Sequence, residues 1–242
     1  MFTILFLNQK GGVGKTTIAD ELAFALERRG RTVAFVSTDP QGGSVHEACL
    51  EPERAEQCDF QVVDTAGVLK DGIREWCRDA DLILIPMLPS TRDMEPTMRT
   101  YELARESGTQ AGIFLLINNF YAFGSLDREL VAYLEEEGIP VLAKIPRAAA
   151  LSRAAAAGKS VAEYNKRCHA IPALEELADE VTKEAEKHHE KCIYGISRKV
   201  KARAGENKDP WRARQGRRKG RNEGTQHPHP CRPPLQGEPA PP

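Results

Sequence analysis

The sequence predicts an α/β fold, a mostly parallel sheet with helices on both faces, and two observations predict it. Short apolar, β-branched runs alternate with longer segments of helical periodicity, the pattern of strands joined by helical crossovers. The first run, FTILFL (2–7), is apolar at odd and even positions alike, so both of its faces are to be buried, as inside a parallel sheet. The helix expected next spans 16–29, with Ile18, Leu22, Ala25 and Leu26 on one side and Gly30 at its end. Further strands are expected at 32–37 (TVAFVS), 60–64 (FQVVD), 81–87 (DLILIPM), 112–118 (GIFLLIN) and 140–145 (PVLAKI). Between the fourth and fifth strands, 93–107 is helical, entered through the capped stretch PSTRD. Helices at 126–137, at alanine-rich 148–157 and at 171–190 complete the folded part.

The composition changes near residue 190, which divides the chain into an expected domain at 1–190 and a tail at 191–242. Lys191 to Pro242 holds 13 Lys+Arg against 4 Asp+Glu, so it carries +9 of a formal total of −1 and leaves −10 on the rest. Half of the 16 prolines lie in the last stretch, from Pro210 onward. Such a segment buries too little apolar surface to offset its ordering entropy, so it is expected to be disordered. A basic tail on an acidic body suits nucleic acid or another acidic surface, and charge alone does not choose between them.

Six scattered cysteines form no CxxC pair and no zinc spacing, which fits reduced thiols in a cytoplasmic protein. The N-terminus lacks the basic region and cleavage site of a signal peptide, and no run is long enough to span a membrane.

The chemistry concentrates in NQKGGVGKTT, Asn8 to Thr17. It fits the phosphate-loop frame G-x-x-x-x-G-K-[ST] in a variant, Lys10-Gly11-Gly12-Val13-Gly14-Lys15-Thr16, that lacks the first glycine. Glycines let successive N–H groups turn inward on a phosphate, and the helix that follows adds the positive end of its dipole. Lys15 is expected to reach the β- and γ-phosphates, the Thr16 hydroxyl to ligate Mg²⁺, and Thr17 to complete the nucleotide contacts. A carboxylate is needed for the metal, and Asp64 ends an apolar strand where it can stand beside the loop. Asp39, in VSTDPQGG, either orients the attacking water or opens a turn. Asn118, at the end of FLLIN, is read either as an adenine contact or as a turn residue, and Pro146 and Arg147 follow the last strand as further adenine-site candidates.

KGGVGKTT resembles the deviant Walker A motif of the ParA/MinD ATPases, P-loop NTPases that include the nitrogenase iron protein. STDPQGG is similar to the ParA switch segment D-x-D-P-Q, VVDTAG to its Walker B strand end, and IPMLPSTRDMEPT and IPRAAALSRAAAAGKSVAEY to later family segments. The likeness covers about residues 1–185 and favours small ParA-type partition proteins without an N-terminal DNA-binding domain. It implies that Lys10 is the signature lysine, reaching in trans to the nucleotide of a partner subunit. It also implies ATP and Mg²⁺ as cofactors, an ATP-dependent homodimer on non-specific DNA, a ParB-like adaptor that stimulates slow hydrolysis, and a nucleoid-associated, cytoplasmic location.

Three departures stand out. Ser37 replaces the first Asp of D-x-D-P-Q, DTAG replaces DTPP, and only 18 residues separate Gln41 from Phe60, so the helix usual there must be very short. The tail has no family counterpart and is either a DNA-binding arm or an extension from a shifted reading frame. The alternative functions are a MinD-like membrane ATPase and the positioning of a protein cargo. The first needs an amphipathic C-terminal helix, whereas this end is proline-rich with Trp211 as its one tryptophan. No residue separates the second from DNA segregation.

Overall fold

The computed structural model describes residues 1–38, 43–49, 51–66 and 72–206. Two compact units are present, Met1–Tyr194 and Gly195–Pro242, of which the second is described only as helix, up to Glu206. In the first unit six strands, β1 (Phe2–Phe6), β2 (Val33–Ser37), β3 (Phe60–Asp64), β4 (Leu82–Met87), β5 (Gly112–Phe120) and β6 (Val141–Pro146), form one sheet in the order β2-β3-β1-β4-β5-β6. Every neighbouring pair is parallel, as expected for strands linked by helices. The helices are α1 (Lys15–Arg28), α2 (Pro52–Ala55), α3 (Ile73–Asp79), α4 (Thr91–Glu106), α5 (Ser125–Glu136), α6 (Ala149–Ala156), α7 (Val161–Tyr164) and α8 (Ile171–Glu206).

The alternation of side chains along the central strands builds two cores. Ile4 and Phe6 of β1, with Leu82 and Leu84 of β4, enter the layer covered by α1, α6, α7 and α8. Leu5, Leu7, Ile83, Ile85 and Met87 enter the layer of α3, α4 and α5. This is why β1 and β4 read as unbroken apolar runs.

The expected elements are present with shifted ends. Ser90 caps α4 as PSTRD suggests, its hydroxyl accepting from the Arg92 amide at 3.3 Å. Among the described residues of the segment before β3, the helix is the four-residue α2. Strand β5 runs to Phe120, so Asn118 lies within a strand rather than in a turn, and α8 extends past residue 190 to Glu206. The rest of the tail lies outside the described residues.

Two polar contacts pin the helices of the first layer. The Arg29 guanidinium, at the end of α1, holds the Glu175 and Asp179 carboxylates of α8. Glu21, buried on α1, accepts from the Val161 amide of α7 at 2.7 Å, while its other oxygen has no hydrogen-bond partner among the described residues. Burial pushes Glu21 up to about 7 from 4.5, against the Val161 bond and the charge of Arg28. The folded state therefore keeps a proton that the unfolded chain releases, and stability falls as pH rises from 4.5 to about 7. Glu21→Gln, which keeps the acceptor and removes the charge, is expected to stabilise the protein by about 2–3 kcal/mol at alkaline pH. It should change little at pH near 4.5, and urea unfolding at the two pH values measures the difference.

Candidate nucleotide-binding site

The order of the strands fixes where a ligand can sit. The chain leaves β1 toward β2 on one side and leaves its neighbour β4 toward β5 on the other, so a crevice opens between the carboxyl ends of β1 and β4. The loop Asn8–Gly14 fills that position. Gly12 and Gly14 have φ of 77° and 94°, the left-handed region that favours glycine. A Cβ on Gly11 or Gly12 would stand in open space, so the loop backbone faces a gap. Gly14 is the N-cap of α1 and offers no side-chain cap. The first N–H groups of this 14-residue helix thus point out without an intrahelical acceptor, as an anion site requires.

Side chains from four elements surround the loop. Lys15 is buried, and its Nζ donates to the Lys10 carbonyl at 3.3 Å, folded back over the loop. The Thr16 hydroxyl donates to Asp64 Oδ2 at 2.7 Å. The register Phe6↔Asp64 explains this contact, since β3 lies beside β1 and ends level with it. Thr65 then locks the end of β3 to β1, its hydroxyl donating to the Phe6 carbonyl at 2.7 Å. Thr17 follows, half-buried, in the first turn of α1.

Thr16 and Asp64 form a hard-oxygen pair suited to Mg²⁺. Among the described residues no group of three or more His, Cys, Asp or Glu is set to hold a metal ion.

Lys10 turns to its own chain, where its Nζ lies 3.6 Å from Asp93 Oδ1 in the first turn of α4. Its side chain is 41% exposed, while that of Asp93 is 8% exposed. A long lysine held by one distant ion pair at the surface can leave that partner readily.

Asn8, given no role by the sequence reading, is the residue that anchors the loop. Its Nδ2 donates to the Pro86 carbonyl at 2.8 Å and to Thr97 Oγ1 at 3.0 Å, and its Oδ1 accepts from the Lys10 amide at 2.8 Å. β1, β4, α4 and the loop are thereby joined through one buried amide.

Asn118 supports the loop from the other side. Its Nδ2 donates to the Val13 carbonyl at 2.9 Å, and a Cβ on Gly14 would come within 2.2 Å of that nitrogen. Pro146 pairs with Phe120 across β5 and β6, and the Arg147 amide donates to the Phe120 carbonyl at 3.2 Å. The three adenine-site candidates therefore gather at the carboxyl end of the sheet, the end that carries the loop. Asp39 lies outside the described residues.

Residues 4–161 match the family model of the CobQ/CobB/MinD/ParA nucleotide binding domain. The chain belongs to this family. Among its relatives is the maintenance of carboxysome distribution protein A of Halothiobacillus neapolitanus, 30% identical over 193 residues, which are 69% of this chain and 89% of that protein. The sporulation initiation inhibitor protein Soj of Bacillus subtilis is 42% identical over 67 residues, 27% of this chain and 26% of its own. The fold is also that of the septum site-determining protein MinD of Pyrococcus horikoshii, solved with Mg-ADP, at a TM-score of 0.61 and 18% identity over 77% of this chain and 98% of that one. Members of the ParA/MinD family share the P-loop NTPase fold found here, and its relatives act in partitioning or positioning.

Proposed function

We propose that the protein is an ATPase that works as a nucleotide-switched dimer on non-specific DNA and partitions or positions a cargo. The observation that carries this reading is the second lysine of the phosphate loop. Lys10 stands at the loop yet is held by an ion pair of its own chain, half exposed and able to be drawn away.

In this reading Lys15 and the loop amides hold the β- and γ-phosphates of ATP, and Gly11 and Gly12 allow the close approach. Mg²⁺ bound by Thr16 and Asp64 supplies charge neutralisation at the phosphates. Asp39 orients the attacking water, and Asn118, Pro146 and Arg147 line the side that receives the adenine. Lys10 leaves Asp93 and crosses to the nucleotide of the second subunit, where its ammonium stabilises the charge of the transferring phosphoryl group, as an arginine finger does. ATP then becomes part of the dimer interface, which couples assembly to nucleotide state. A ParB-like adaptor stimulates hydrolysis and so releases the dimer, on the nucleoid in the cytoplasm.

The DNA contact is assigned to the stretch from β6 to the start of α8. Lys144, Arg153, Lys159, Lys166 and Arg167 are all exposed there against a single acidic residue, Glu163, on an otherwise acidic body. None of the five takes part in an ion pair among the described residues. Binding to random-sequence duplex DNA is expected with ATP and not with ADP, and it should weaken steeply with salt through counterion release. Arg153→Ala with Lys159→Ala removes four charges from a dimer and should lower the log–log salt slope by about 3–4. An unchanged slope would move the DNA contact elsewhere.

A second reading of the cargo is favoured by one finding. The likeness to the carboxysome distribution protein runs over most of the chain, whereas the likeness to Soj covers about a quarter. In that case deletion of the protein displaces a protein assembly and leaves DNA inheritance intact.

A further inference from the structure

Exposed apolar side chains are concentrated in one short stretch of the protein. Six large hydrophobic residues are exposed among the described residues, and four of them, Tyr121, Phe123, Leu126 and Tyr133, lie between 121 and 133. Phe123 is 80% exposed and meets Tyr121 edge to face, 5.9 Å between ring centroids, just ahead of α5. Leu126 and Tyr133 line a groove between α4 and α5 together with Pro89, Ser90, Thr91, Met94, Glu129 and Leu130.

The charge along the α5 edge of this groove has one sign. Leu126, Glu129, Leu130 and Tyr133 follow the three- and four-residue steps of one helix face, and the next steps on that face bring Glu136 and Glu137. None of these three glutamates takes part in an ion pair among the described residues, and Arg128 lies on the opposite face of α5. On α4, Glu95 is neutralised by Arg99 and Glu102 by Arg105, which leaves Arg92 as the exposed cation of its first turn. An apolar floor with an acidic edge suits an amphipathic helix that carries Lys or Arg beside its Leu, Met or Phe residues.

We propose that the α4–α5 groove is the docking site for a basic amphipathic segment of a separate partner protein, and that this contact acts on Lys10. The inference rests on the adaptor-stimulated reading above and gives the adaptor a surface and a chemistry. Its reach to the nucleotide is short. Pro89, Ser90, Thr91 and Met94 form one wall of the groove, and Thr91 and Met94 belong to the first turn of α4, the turn that also carries Asp93, the residue that holds Lys10. A segment seated in the groove therefore bears on the element from which Lys10 must be released.

Two experiments on the full chain test this. In the first, Tyr133 is replaced by a photo-crosslinking phenylalanine in cells, and the joined peptide is sequenced. A peptide of another protein with net positive charge and apolar residues at helical spacing is expected. Joining to a second copy of this chain, to its own residues 207–242, to an acidic peptide or to nothing would overturn the proposal. In the second, a synthetic helix with leucines on one face and lysines on the other is titrated by fluorescence anisotropy. Its affinity should fall more than about tenfold with Leu126→Asp or Glu129→Lys, and a version with glutamates for lysines should not bind. Equal binding to the variants, or equal binding of the two peptides, would overturn it. ATP-dependent dimerisation and basal turnover are expected to be unchanged in both variants, so loss of the dimer in the unaltered chain would count against the switch and not against the groove.

Discussion

Gly14→Ala is expected to reduce ATP affinity by at least about a hundredfold, the combined effect of two costs on one loop. With φ at 94°, an alanine there must adopt left-handed backbone, which costs roughly 1–2 kcal/mol. Its Cβ would also fall 2.2 Å from Asn118 Nδ2. That nitrogen is buried and bonded to the Val13 carbonyl, so it can yield only by giving up the bond that supports the loop. Calorimetric titration with Mg-ATP measures the loss, and thermal unfolding monitors the fold. The two costs can be separated, because Asn118→Ala removes the obstacle and leaves the backbone strain. Gly14→Ala in that background is expected to bind better than the sum of the single losses predicts. Strict additivity would refute the proposed collision.

The second large effect is expected from Lys10→Ala, and its pattern differs from that of Lys15→Ala. Lys15 is buried within the loop, so its loss should remove nucleotide binding itself. The Lys10 side chain is half exposed and, among the described residues, its ion pair is with Asp93 of its own protomer, so ATP binding should stay within about threefold. Turnover should fall by roughly a thousandfold or more, the scale on which a charge supplied in trans acts in phosphoryl transfer. The fold should hardly notice. Asp93 loses one partner but stays in the first turn of α4, where the helix dipole favours a carboxylate. Single-turnover hydrolysis alongside equilibrium ATP binding distinguishes the two lysines.

Much of this site could be read from the chain because its parts are local or lie at strand ends. Gly14, Lys15 and Thr16 are adjacent, and the meeting of Thr16 with Asp64 follows once the apolar run before each is taken as a neighbouring parallel strand. The central strands were legible for a similar reason, since burial on both faces leaves no polar position to obscure them. Asn8 was not legible, because its role depends on Pro86 and Thr97, brought to it from 78 or more positions away. Asn118 was read as an adenine contact or a turn, and its bond to Val13 spans 105 positions that no local pattern encodes. Helix α3 is hard to delimit from sequence, because Ile73, Trp76 and Cys77 make one apolar stripe too short to separate from a loop. The end of α8 was placed too early, where the composition turns basic. Lysine and glutamate pairs three apart, Glu180 with Lys183 and Glu184 with Lys187, carry the helix up to that point.

The central claim is that ATP closes two copies of the chain through Lys10. Sedimentation velocity of the full chain with Mg-ATP, with Mg-ADP and without nucleotide, repeated for Lys10→Ala, tests it most directly. The account predicts a dimer for the unaltered chain with ATP alone and a monomer for Lys10→Ala under every condition, with ATP still bound. A Lys10→Ala chain that dimerises with ATP as the unaltered chain does would contradict it.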